Sequence, residues 1–75
     1  MQRLLKILEE IRPDIDFAQE TALMDDGILD SFDVVSIISE LNDEFSIAIR
    51  VNELTPTNFN SVNAMMKMVE RLQNS

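Results

Sequence analysis

Three stretches of this chain repeat apolar residues at helical spacing, and the sequence offers no other means of holding a fold together. In residues 2–12, QRLLKILEEIR, Leu4, Leu8 and Ile11 share one face, with Leu5 and Ile7 on its edges. In residues 31–45, SFDVVSIISELNDEF, the stripe is Val34, Ile38, Leu41 and Phe45, widened by Ile37. The β-branched residues do not make this a strand. Alternation fails at Val34-Val35 and Ile37-Ile38, and the segment is too long. In residues 61–73 the stripe is Val62, Met65/Met66, Val69 and Leu72. A 75-residue chain has little surface to bury, about 60% of what its unfolded form exposes. It has neither cysteine nor histidine, which removes disulfides and a structural zinc site. Packing of apolar faces must therefore stabilise it, and a hydrophobic content of 45% suffices.

The punctuation agrees. Pro13 ends the first helix. Asp30 fits as N-cap of the second, with Asp33 at the third helical position, an arrangement like a capping box with Asp in place of Glu. Thr55-Pro56 opens a short helical turn near residues 56–59, and Asn60 or Ser61 caps the last helix. Residues 46–54 read as a connector with some extended character. Residues 13–30 form a long loop, but Ile15, Phe17, Leu23, Met24, Ile28 and Leu29 are too apolar for a disordered linker and should pin it to the core, with Gly27 supplying a turn. The expected fold is all-α: one domain over residues 1–75, a small antiparallel four-helix bundle with three main helices, one short helix and a long first loop.

Charge is segregated. Between Pro13 and Ile49 there are ten acids and no Lys or Arg, while the rest of the chain holds six bases and four acids, giving the net charge of −8. Such a field repels nucleic acid and attracts basic partners. The N-terminal MQRLLKILEE does not read as a signal peptide, and no segment is long enough to insert in a membrane. A cytoplasmic monomer is expected.

Few residues could carry chemistry. Ser31, in DDGILDSF, has no histidine to act as its base, and Lys6 and Lys67 fall on predicted surface faces of the terminal helices. A serine hydrolase is therefore excluded. Because Asp30 takes the cap, Ser31 falls at the first helical position with an exposed hydroxyl, suited to modification by another enzyme. An EF-hand alignment on Gly27 fails, since Ala22 and Met24 would stand at ligand positions. Met24, Met65, Met66 and Met68 could line an adaptable groove, but their spacing reads better as core. On these residues alone, an acidic helical interaction module without a prosthetic group also stays open.

The stretch GILDSFDVVSIISELNDEF resembles the acyl and peptidyl carrier protein family. Asp30-Ser31-Phe32 matches the family's acid–serine–apolar triplet at the head of the second helix, and FNSVNAMMKMV resembles its last helix. The resemblance implies a 4′-phosphopantetheine arm placed on Ser31 by a phosphopantetheinyl transferase, and a protein that is not itself an enzyme. It also implies that acids of the second helix meet basic patches on partner enzymes. Here these are Asp30, Asp33, Glu40, Asp43 and Glu44, with Phe32 as an apolar anchor. Ser36 and Asn42 stand where carriers of fatty-acid type often have acids, and GILDSF is closer to D-alanyl carriers than ELTPTNFNSVNAMMKM is. The favoured cargo is aminoacyl, loaded by an adenylating ligase. The alternative is an acyl cargo for the synthases of fatty-acid or polyketide assembly.

Overall fold

The structure is a computed structural model that describes residues 2–74. It has four α-helices, α1 (Gln2–Ile11), α2 (Ser31–Phe45), α3 (Pro56–Phe59) and α4 (Val62–Gln73), with a 3-10 turn at Val51–Glu53. Among the described residues there is no strand. The connector after α2 is extended at Arg50, φ −97° and ψ 167°, in line with its expected character, and then makes the 3-10 turn, which the sequence does not signal. That turn lacks a side-chain cap and a buried residue, the two marks that sequence reading relies on.

The ends of α1 and α2 show how they pack. Arg12, just past α1, reaches Asp33 in the first turn of α2. Arg3, in the first turn of α1, reaches Glu44 and lies 4.8 Å from the ring centre of Phe45 at the far end of α2. The two helices therefore run antiparallel. α4 packs on both, and α3 packs on α4.

The core is one cluster drawn from all four helices, the first loop and Ile49 of the connector after α2. Leu4, Leu8, Ile37, Leu41, Phe59, Met65 and Val69 are fully buried. Two helix faces are rotated slightly from their expected position. On α1 the edge residue Ile7 is buried, whereas Ile11 is only partly so. On α2 the buried line is Val34, Ile37 and Leu41, with Ile38 and Phe45 beside it. Residues three and four apart stack on one helix face, so either choice satisfies the pattern, and the neighbouring helices decide.

The first loop is pinned as expected, by buried Phe17, Leu23 and Leu29. It turns at Gly27, whose φ of +68° suits glycine alone without strain. The Ile28 and Leu29 N–H groups both donate to the Leu23 carbonyl, at 2.9 and 3.0 Å. Asn60 fastens the loop from the other side. Its Oδ1 accepts from the N–H groups of Met24 and Asp25, at 3.0 and 3.1 Å, and its Nδ2 donates to Asp25. Its carbonyl accepts from the Leu23 N–H. The cap of α4 is consequently Ser61, whose hydroxyl accepts from the Ala64 N–H.

Candidate functional site at the head of α2

The start of α2 is built by a reciprocal cap. Asp30 is extended, at φ −98° and ψ −178°, and its Oδ1 accepts from the Asp33 N–H at 2.9 Å. Asp33 Oδ2 accepts in return from the Asp30 N–H at 3.2 Å. This completes the capping box with Asp at the third position, satisfying two of the backbone donors that a helix start leaves unpaired.

Ser31 is the first residue of α2 and is exposed. Because Asp30 does the capping, the hydroxyl is not consumed by the backbone. Phe32, beside it, is 85% exposed, an unusual setting for a large aromatic side chain. Val35, one turn along, and Val51 and Leu54, in and after the 3-10 turn, are also exposed apolar residues. An open cleft of about 480 Å³ adjoins the serine, lined by Ser31, Met24, Leu29, Val34, Val35 and Leu54.

The acids expected to meet partners differ in their surroundings. Glu40 and Asp43 are exposed and make no ion pair among the described residues. Glu44 is held by Arg3. Asp33 is mostly covered and carries Arg12 on the same oxygen that closes the capping box. Asp30 is exposed but committed to the cap. Asn42, where an acid might have stood, uses its Oδ1 to accept from the Ile49 N–H at 2.8 Å. Its carbonyl accepts from Ser46, whose backbone turns left-handed at φ 54°. That residue holds the chain leaving α2.

Comparison with known proteins gives the site its family. The family model for the phosphopantetheine attachment site matches residues 1–69. This chain belongs to the phosphopantetheine attachment-site family. As a carrier of this family it bears a covalently attached 4′-phosphopantetheine. It is similar to the D-alanyl carrier protein of Streptococcus mutans serotype c, 32% identical over 73 residues, which is 96% of this chain and 92% of the relative. The D-alanyl carrier protein of Streptococcus suis is 31% identical over 75 residues, covering 99% and 95% of the two chains. That of Streptococcus uberis is 34% identical over 62 residues, covering 83% and 78%. The matches to the first two also cover ELTPTNFNSVNAMMKM, the stretch expected to fit the D-alanyl carriers less well than GILDSF.

Three features of this carrier's site escape a reading of the sequence. Arg12 ties α1 to the cap of α2, and its one signal is its place as the last base before the acid-only stretch. Leu54 and Met24, from distant parts of the chain, line the same cleft. Met65 and Met68 are buried core, as their spacing implies, whereas Met24 lines the cleft beside Ser31. Asn60 carries no signal, because an asparagine at the end of a short helix has many ordinary uses.

Proposed function

We propose that Ser31 is the attachment residue, and that this single-domain protein carries aminoacyl groups without catalysing a reaction of its own. The observation that carries the reading is the exposed Ser31 hydroxyl at a helix start whose cap is taken by its neighbour. The residues suit the group. Among the described residues the Ser31 and Phe32 N–H groups have no partner, so a phosphodiester on Ser31 Oγ would sit beside unpaired donors at the positive end of a 15-residue helix. The cleft, apolar but for Asp30 and Ser31 at its edge, offers a surface along which an arm can lie. When attached, the arm supplies the thiol on which cargo is held as a thioester. The chain's own residues bind and orient, and the sequence holds neither histidine nor cysteine.

The recognition face follows from the same geometry. Phe32 and Val35 present apolar area beside the serine, and Glu40 and Asp43 supply unpaired negative charge further along α2. A phosphopantetheinyl transferase and an adenylating ligase with basic patches around an apolar pocket would fit it. Asp33 and Glu44 contribute less, because each already faces an arginine of this chain. Among the described residues no helix is long and apolar enough to cross a membrane. Together with the acidic surface, this is compatible with a monomer working in the cytoplasm.

The aminoacyl cargo rests on the similarity to D-alanyl carrier proteins along nearly the whole chain. The test is to load the arm-bearing protein with ATP, D-alanine and a D-alanine-activating ligase, and to weigh the product. The reading expects one alanyl group, released by hydroxylamine as a thioester is. Refusal of every amino acid, together with loading by a malonyl or fatty-acyl transferase, would favour the acyl alternative.

A further inference from the structure

Arg12 gathers more of the site than its place outside α2 suggests. Its Nε and Nη2 hold the two oxygens of Asp14, at 3.0 and 2.8 Å, and its Nη1 holds Asp33 Oδ2. That same oxygen accepts the Asp30 N–H at the long distance of 3.2 Å, and Asp30 in turn accepts the Asp33 N–H. One guanidinium thus joins the end of α1 and the start of the loop to the two residues that bracket Ser31. The Arg12 side chain is 29% exposed and that of Asp33 13%, so the contact is sheltered compared with an ordinary surface pair. Hydrogen bonding to Asp14, opposed in part by burial and helped by Asp33, raises the Arg12 pKa above its ordinary value. The guanidinium of the clamp is always charged.

We infer that Arg12 is a positioning residue for the modification of Ser31, an inference that rests on Ser31 being the attachment site. It acts in two ways. By fixing Asp33 Oδ2 it holds the weaker half of the capping box, which sets the backbone directly before Ser31 and so the direction of the hydroxyl. By sharing its charge between Asp14 and Asp33 it also offsets part of the like charge near the spot where the phosphate arrives. In the transfer, Ser31 Oγ forms a bond to phosphorus as the pyrophosphate linkage of coenzyme A breaks. Adenosine bisphosphate leaves, and the hydroxyl proton passes to a base of the transferase. Such a displacement needs Oγ in line, and a frayed first turn spreads it over many directions. Lysine cannot replace the clamp, because one ammonium lacks the planar fork that spans two carboxylates.

The experiment follows mass gain over time with saturating coenzyme A, one phosphopantetheinyl transferase and varied carrier concentration. Wild type, Arg12→Gln, Arg12→Lys and Ser31→Ala are compared, with circular dichroism melting of each. Arg12→Gln should lower kcat about five- to thirtyfold, the factor that a lost cap of ordinary strength represents. KM should stay within about twofold, since Glu40 and Asp43 still face the enzyme. Arg12→Lys keeps the charge and the apolar stem, so it folds, and it should recover only part of the loss. Three results would overturn the inference: an unchanged kcat in Arg12→Gln, a loss confined to KM, or full recovery by Arg12→Lys. Failure of the Ser31 reading looks different, because wild type would then gain no mass or Ser31→Ala would gain as much.

Discussion

Asn60→Ala isolates what holds the first loop beside the serine. The substitution removes an acceptor shared by two backbone N–H groups and a donor to Asp25. The three bonds differ in worth. The Met24 N–H is partly buried, and losing its partner costs about 1–2 kcal/mol. The Asp25 N–H and carboxylate are exposed, so water takes over and the two together cost roughly 0.5 kcal/mol. The sum of about 2 kcal/mol corresponds to a fall in melting temperature of roughly 10 °C for a domain of this size. The assay is thermal melting paired with amide hydrogen exchange of Met24, whose protection should drop first because its side chain is only partly buried, at the edge of the core on the open cleft. Asn60→Asp gives a control. It keeps both accepted bonds, loses the donor and sets a second carboxylate against Asp25, so its smaller loss should shrink as salt is added. If Asn60→Ala melts within about 2 °C of wild type and Met24 exchanges as before, the loop is held by Phe17, Leu23 and Leu29 alone and the reasoning fails.

Two further substitutions probe the core and the acid response. Leu41→Ala empties a fully buried site on α2 and should cost about 2–5 kcal/mol in urea unfolding, with the slope unchanged; a cost below about 1 kcal/mol would mean that the helices close over the cavity. Arg71, hydrogen-bonded to Glu53 at 3.1 Å, holds that carboxyl below its ordinary value of 4.5, so the pair's stabilisation is fully present above that pH and fades as pH falls through the lower folded value. The stability gap between wild type and Glu53→Gln should therefore be constant from neutral pH down to about 4.5 and narrow below it; a gap that narrows above pH 5 would contradict the assignment.

What the sequence made legible was local. Asp30 and Asp33 mark the start of α2 because capping chemistry has a fixed three-residue spacing, and the structure forms both bonds. Ser31 follows from that spacing as an exposed hydroxyl. The loop's apolar residues announced that it was pinned, since Phe17 and Leu23 have no other place to go. What stayed hidden depends on contacts between distant positions. Asn60 meets Met24 across 36 residues, and Arg12 meets Asp33 across 21. No periodicity encodes such pairs. The left-handed turn at Ser46 was hidden for a different reason, since glycine is the usual marker of that conformation and none stands there. The acids on α2 illustrate both limits. Their sign was plain, but which were already paired with Arg12 and Arg3 was not.

Locating the arm tests the central claim most directly. The protein is incubated with coenzyme A and a phosphopantetheinyl transferase, digested, and the modified peptide fragmented in a mass spectrometer. Pro13 follows Arg12 and no Lys or Arg lies between it and Arg50, so trypsin leaves residues 7–50 as one peptide, with Ser31, Ser36, Ser39 and Ser46 all inside it. The account predicts one 4′-phosphopantetheine, on Ser31, and no gain of mass in Ser31→Ala. An arm found on Ser36, Ser39 or Ser46, or an unmodified wild-type protein with several transferases, would contradict it.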